Sequence, residues 1–489
     1  MRTVSRILLL LGIMLAVTGS ASAQWGELYA TWDEGTNGTT HNTASVGVIK
    51  SNMFIALISN ATRCFMIPYV NADSALGRVG TWEYSPPAGT YKFWDDGGFT
   101  QIQMERAYLL TATPDSFVYV ANNDQNHNIL VFKFTGDSMA VVPRPGSTTI
   151  MPHKETGTNG IFGIALDGAG YVYVCNDTTT GKTDDIKIYP PISEWDDNPT
   201  SAPIRTVDLP DGIYKGITVN AAGTAIFVSD YGNRKVYRYS GDRTSGYTKS
   251  TGFDFTMAAD DTAGIYNVNR PGPMGLAYLN SKNIVAVACD IFGLSSGTHG
   301  SYSYGKIHLR NANTGAAISS DTSIAQINQA AWALSVTGTY TNRGDGTLFG
   351  NASCYASTWD VKVDGAEDIY SQSFYGWTVE KWHYTGTLPT FTGVEPIGEV
   401  IPTGFRLGAN YPNPFNPSTR IEFSIPKGSF VSLRVFDLLG REVATLVNEE
   451  KAAGEYRATF DAREIPSGTY FYSLRAGDFV QTRSMVVVK

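Results

Sequence analysis

The chain has few of the residues that most often announce a function. In 489 residues there are four cysteines, Cys64, Cys175, Cys289 and Cys354, and none forms CxxC or stands at a zinc-ligand spacing. Attached haem and structural zinc are therefore disfavoured. The six histidines (His41, His127, His153, His299, His308 and His383) never fall within four residues of one another, so HExxH is absent. Charged residues make up only 17%, against 42% hydrophobic, which separates the chain from disordered sequences. After the N-terminus, no apolar run is long enough to span a bilayer.

Positive charge is also scarce. The formal net charge is −8 and the isoelectric point about 5.4. Residues 24–403 alone carry −12, because the C-terminal stretch from Gly404 is close to neutral. An acidic body speaks against nucleic acid and anionic membrane as partners.

Glycine is plentiful at 50 residues and aromatics reach 12%, the composition of a turn-dense all-β protein. The first 23 residues read as a signal peptide. Arg2 and Arg6 precede the apolar run Ile7 to Val17, and Ala21-Ser22-Ala23 supplies a small-x-small cleavage pattern. As a helix that run would reach roughly 16 Å, about half a bilayer core. The mature chain is expected to be exported and to lack a transmembrane anchor.

Between about residues 45 and 386 the sequence repeats itself. Lys215 to Tyr239 is the clearest copy, matched by Phe162 to Asn176, Leu109 to Phe134, Met274 to Asp290 and Trp359 to Tyr384; Val46 to Tyr69 is a degraded first copy. Each copy has a short strand, a turn of Asp/Asn-Gly type, an alternating strand such as Tyr171-Val172-Tyr173-Val174, and a third alternating strand. Repeats of this kind bury both sheet faces only when stacked in a ring, which makes a β-propeller. Six copies are visible, and the interval around Trp332 to Tyr355 has room for a seventh. Trp25 to Trp32 is the candidate strand to close the ring.

Val228-Ser229-Asp230-Tyr231-Gly232-Asn233-Arg234-Lys235-Val236 resembles an NHL repeat. The resemblance covers the repeat region alone and implies a propeller without a particular activity, since NHL-like propellers include binding proteins, lyases and lactone hydrolases.

Asn122, Asn176, Asp230 and Asp290 fall at the end of the second strand in four copies. Oxygen ligands around an axis would suit Ca²⁺; capping of the following turn explains them more simply. Gly163, Gly216 and Gly275 recur on the inner strand, where crowding at the axis calls for glycine. Asp167-Gly168 and Asp364-Gly365 are turn chemistry. Cys175 and Cys289 read as small buried hydrophobes, and a Cys64–Cys354 bridge depends on where the ring closes. Trp82, Tyr84, Tyr91, Phe93 and Trp94 crowd one segment, and Tyr302 and Tyr304 lie in a Gly/Ser-rich loop. Trp94, Tyr302 and Tyr304 are the candidate ligand-binding residues, because such rings stack on sugars; interblade packing is the plainer use of the first cluster.

Residues 387–403, with three prolines and no period, read as a linker. The final block, 404–489, alternates in short strands punctuated by Gly428, Gly440, Gly454, Gly468 and Gly477, a small β-sandwich with its own core. Three motifs mark it. The first is Tyr411, Pro412, Asn413, Pro414, Phe415, Asn416 and Pro417, read as a stiff, extended lead-in. The others are Val435-Phe436-Asp437-Leu438-Leu439-Gly440-Arg441-Glu442-Val443 and Pro466-Ser467-Gly468-Thr469-Tyr470-Phe471-Tyr472. With the closing Thr482 to Lys489, these resemble the C-terminal sorting domain of type IX secretion substrates, a relative of the FlgD-like Ig fold. That resemblance implies type IX machinery as partner, passage through the outer membrane of a Gram-negative-type bacterium, and a secreted or surface location, with tail removal as the usual fate.

The sequence thus predicts an all-β chain: a six-bladed or seven-bladed propeller over 24–386, then a small Ig-like sandwich. Three functions stay open. A binding module for carbohydrate or protein leads, ahead of a metal-dependent lactonase or lyase and a structural surface-layer component.

Overall fold

A computed structural model describes residues 25–32, 43–60, 63–70, 90–95, 98–103, 107–124, 127–134, 139–142, 161–176, 184–195, 203–257, 271–290, 305–328, 358–373, 378–391, 394–396, 402–451, 453–462 and 465–489. The signal-peptide reading, Cys354, Tyr302, Tyr304 and the seventh-repeat candidate lie outside the described residues.

The repeats fold as successive antiparallel sheets. Strand β1 (Trp25–Trp32) precedes the first sheet, which runs β2 (Thr43–Lys50), β3 (Met53–Asn60), β4 (Arg63–Val70). A hairpin of β5 (Thr90–Asp95) and β6 (Gly98–Gln103) leads to the second sheet, β7 (Leu110–Ala112), β8 (Phe117–Asp124), β9 (His127–Phe134), β10 (Met139–Val141). The third is β11 (Ile161–Leu166), β12 (Val172–Asn176), β13 (Asp185–Tyr189), β14 (Arg205–Asp208). The fourth is β15 (Tyr214–Val219), β16 (Ala225–Asp230), β17 (Lys235–Asp242), β18 (Gly246–Lys249), with β19 (Phe255–Thr256) also on β17. The fifth is β20 (Gly272–Leu279), β21 (Ile284–Asp290), β22 (Lys306–Asn311), β23 (Gln326–Asn328). The sixth is β24 (Thr358–Val363), β25 (Ile369–Ser373), β26 (Thr378–Tyr384), and its fourth strand is β1.

That last pairing closes a ring, as the sequence predicts. Trp25 faces Tyr384 in the register, and its indole N–H donates to the Ile324 carbonyl at 3.0 Å. The innermost strands touch in a closed cycle, β2, β7, β11, β15, β20, β24 and back to β2. This is a β-propeller: each sheet face is buried against its neighbour, and the first and last sheets protect each other's edges.

Local chemistry sets the turns. The Asp167 carboxylate accepts from the backbone N–H groups of Ala169 (2.9 Å) and Tyr171 (3.1 Å), and Asp364 does the same for Ala366 (2.9 Å) and Asp368 (3.1 Å). Gly170 holds the left-handed φ of +85° that the first of these turns requires. Cys175 and Cys289 are fully buried, as small hydrophobes would be.

The inner-strand glycines are sites of close approach. A Cβ on Gly216 would stand 2.1 Å from the Met274 carbonyl oxygen, and one on Gly275 would meet Asp360 Oδ1 at 2.3 Å. Backbones of adjacent blades pack so tightly there that no side chain fits.

The tail is two four-stranded sheets over one core. One sheet orders β27 (Val394–Pro396), β32 (Gly454–Asp461), β29 (Ser418–Ile425), β28 (Arg406–Leu407). The other orders β31 (Glu442–Lys451), β30 (Ser429–Phe436), β33 (Gly468–Ala476), β34 (Phe479–Val487). Ile421, Phe423 and Phe460 from the first meet Val431, Leu433, Tyr472 and Leu474 from the second. The stretch 387–403 is more than a connector. Leu388 is buried with the sixth sheet, Phe391 N–H donates to the Lys282 carbonyl at 2.9 Å, and β27 pairs with β32 of the sandwich.

Candidate functional site

Antiparallel alternation gives the ring two unlike edges. One carries the turns from first to second strand, and these are knitted from blade to blade. Gly168 N–H donates to the Ala221 carbonyl (2.9 Å), Ala221 N–H to Asn280 Oδ1 (2.8 Å), Ser281 Oγ to Glu367 Oε1 (2.8 Å) and Asn52 N–H to the Tyr370 hydroxyl (2.9 Å). Arg243 of the fourth sheet pairs with the buried carboxylate of Asp167 in the third and lies 4.1 Å over the Tyr171 ring. At the opposite edge lie the starts of the inner strands and the strand ends that the chain joins through residues 142–160, 257–271, 291–305 and 329–357, its long segments there.

At that second edge the residue before the axial glycine matters. Phe162 and Lys215 immediately precede Gly163 and Gly216. Tyr108 stacks on Phe162 at 3.9 Å between ring centroids, and the Lys215 ammonium sits 4.0 Å from the centre of the same ring. Three adjacent blades thus build an aromatic and cationic cluster that strand periodicity alone does not reveal. Its only sequence signal is position relative to the recurring glycine.

The four strand-end residues fall one to a blade. Asn122 is buried within β8, Asn176 ends β12, Asp230 ends β16 and Asp290 ends β21. Asp230 accepts from the N–H groups of Ile213 (3.1 Å) and Asn233 (3.0 Å) and from Asn233 Nδ2 (2.7 Å), so its carboxylate ties the turn after β16 to the link before β15. Among the described residues no three His, Cys, Asp or Glu side chains gather as a metal site. Trp94 is placed on β5 opposite Phe99.

In the tail, the proline motif folds over the sandwich, which corrects its reading as an extended lead-in. Its bonds Tyr411-Pro412, Asn413-Pro414 and Asn416-Pro417 are cis. Tyr411 bridges Arg420, while Phe415 forms a parallel bridge to Val487 of the last strand. Asn413 Oδ1 accepts from Val486 N–H at 2.9 Å, and the Pro417 carbonyl from Ala462 N–H at 2.8 Å. The Pro412 carbonyl accepts from Thr419 Oγ1 at 2.7 Å. Pro414 and Asn416 flank the buried Phe415 ring, which meets Phe460 edge-on at 6.1 Å. Tyr470, buried after Gly468, donates its hydroxyl to the Pro466 carbonyl at 3.0 Å. The motif is therefore a clasp joining the two ends of the domain. One feature that a reading for core positions misses is that Phe430 and Val480 stand in the outward phase of their strands, 51% and 61% exposed.

Ring and clasp define an all-β protein made of a propeller and a C-terminal sandwich. Residues 409–489 match the family described as secretion system C-terminal sorting domain. The tail is such a domain, of the type IX secretion kind, and the protein that carries it is secreted or held at the cell surface. No helix among the described residues is long and apolar enough to cross a membrane. No curated protein matches the chain. Among solved structures it is similar to a structural genomics protein of unknown function from Bacteroides thetaiotaomicron, at 10% identity, TM-score 0.41, covering 74% of this chain and 76% of that one. It is also similar to the Cps50 (Swd1) β-propeller domain of Myceliophteria thermophila, at 9% identity, TM-score 0.36, covering 70% and 98%. A protein from Lactobacillus plantarum matches at 9% identity, TM-score 0.38, covering 88% of that chain and 86% of this one.

Proposed function

We propose that the protein is an exported, six-bladed, NHL-type propeller that binds a carbohydrate or protein ligand. Its 1–23 leader and Ig-like tail serve delivery. The observation that carries this reading is the inequality of the two edges. One is closed by turn-to-turn hydrogen bonds, whereas at the other lie the strand ends that the chain joins through its long segments, among them 291–305 with Tyr302 and Tyr304 in its sequence. Loops on a rigid ring are where binding residues are placed, and aromatic side chains there supply stacking surface for sugars or hot spots for a protein. The Tyr108–Phe162–Lys215 cluster adds cationic character at the same edge.

The test is a glycan array and a pulldown from extracellular material, run with the exported chain and with Trp94→Ala, Tyr302→Ala and Tyr304→Ala. The expected result is one ligand class bound by the parent and weakened about tenfold or more by at least one variant. Unchanged binding in all three variants would refute the loop-bearing edge as the site.

A further inference from the structure

One face of the tail carries large side chains on its solvent side. In the sheet β31-β30-β33-β34, Val431, Leu433 and Val435 point into the core, which turns Phe430, Arg434 and Phe436 outward. With Arg475 of β33 and Val480 of β34 they line a groove of about 600 Å³. Beside it Phe471, opposite Phe436 in the register, is 37% exposed. The solvent phase of an antiparallel sandwich ordinarily carries polar residues, so large exposed side chains set along a groove mark an interaction surface.

Two guanidinium groups lie among those apolar side chains. Arg434 is fixed by Glu442 Oε2 (3.0 Å) and Ser432 Oγ (3.0 Å). The Arg475 guanidinium makes no hydrogen bond or ion pair among the described residues. Past Phe436 the stripe continues into the turn of Leu438 and Leu439, which are 68% and 80% exposed. That turn is braced. Asp437 Oδ1 accepts from the N–H groups of Leu439 and Arg441 (both 2.9 Å), Oδ2 accepts from Arg441 Nε (2.7 Å), and Gly440 takes φ +77°. The leucines are held out on a fixed support.

We propose that this face is where the sorting domain is gripped, and that its partner is an extended protein segment carrying carboxylates between apolar side chains. The proposal rests on the tail's sorting role. An open guanidinium between exposed aromatic and aliphatic groups is complementary to that chemistry, and Arg with aromatics is what protein interfaces enrich. The concave shape, and the Glu442 carboxylate held by Arg434, fit a polypeptide better than an anionic bilayer.

The full chain is titrated with a synthetic peptide alternating glutamate and leucine, with the same peptide bearing lysine for glutamate, and with phosphatidylglycerol vesicles. Binding of the glutamate peptide is expected, weakened about tenfold by Phe430→Ser or Arg475→Glu, retained by Arg475→Lys, and switched toward the lysine peptide by Arg475→Glu. Unchanged melting of each variant shows that folding is intact. In cells, Phe430→Ser/Arg475→Glu should lower the displayed fraction. Equal peptide binding by Arg475→Glu, vesicle binding without peptide binding, or normal display of the double variant overturns the proposal. Deleting 409–489 separates the two levels. If display survives the deletion, the sorting role itself fails; if the deletion blocks display while the double variant is displayed normally, only the docking face fails.

Discussion

Ser45 and Asp360 lie 315 residues apart in sequence and share a buried hydrogen bond, the serine hydroxyl donating to the aspartate carboxylate. The same hydroxyl accepts from Leu110 N–H at 3.0 Å, so three blades meet at one side chain. Lys362 Nζ stands 2.6 Å from Asp360 Oδ1 and completes the group. Replacing Asp360 with alanine leaves a largely buried ammonium unpaired, and a loss of about 3–5 kcal/mol is expected. Ser45→Ala should cost about 1–3 kcal/mol, because Leu110 N–H is left without its acceptor. Urea unfolding of both variants and of the double variant measures the losses. Since the two residues are partners, the double variant should lose less than the sum.

Gly216 and Gly365 make a paired control. A Cβ at Gly216 would collide with the backbone of the next blade, while nothing lies within 4 Å of one at Gly365. Gly216→Ala is expected to destabilise by about 1–3 kcal/mol, and Gly365→Ala to change stability by less than about 0.5 kcal/mol. Thermal melts of the two proteins side by side check this.

Alkaline unfolding should be prominent. Burial disfavours the charged form of Lys381, but its hydrogen bond to Asp368, then the charges of Tyr370, Asp368 and Asp364, outweigh this and hold the ammonium above its usual 10.5. A raised folded-state pKa means that this contribution is complete below pH 10.5 and disappears as the pH climbs through the higher value. Burial, with the Asp115 charge, pushes the Tyr119 phenol up to about 12. Burial, then Tyr237 and Asp208, does the same for Tyr239. Their contribution is whole below pH 10 and fades toward about pH 12. Urea midpoints should therefore fall above about pH 10, with phenolate absorbance rising together with loss of structure. A Lys381→Met protein should be less stable at neutral pH and decline less steeply in alkali.

In the tail motif, the two aromatic residues have opposite fates. Phe415 is buried and joined to the last strand, whereas Tyr411 is 80% exposed. Phe415→Ala should cost the tail about 3–5 kcal/mol and lower export with it. Tyr411→Ala should leave stability within about 0.5 kcal/mol of the parent, so any export defect in that variant reports recognition. Protease protection and surface labelling of the two variants together separate folding from recognition.

Much of the fold is legible in the chain because strands announce themselves locally. Alternation in Tyr171-Val172-Tyr173-Val174 and the Asp167-Gly168 turn need only their own neighbours to be read, and the tail strands fall within a few residues of where alternation places them. β27 and β28 escape notice because strands this short carry too little alternation to register. The proline motif misleads, since its contacts with β34 join residues far apart in the chain and have no signature in the sequence. The groove residues Phe430 and Val480 pass unnoticed because an apolar residue suggests burial until the register shows which way it points.

By itself the sequence determined the repeating strand unit, the glycine positions on the inner strands and the sorting tail, all of which are written as recurring or contiguous residue patterns. Only the tertiary structure decided that β1 completes the sixth sheet, that Ser45 meets Asp360, and that one edge of the ring is knitted from blade to blade by its turns. Those relationships join residues far apart in the chain, and the side chains that make them look locally like any others.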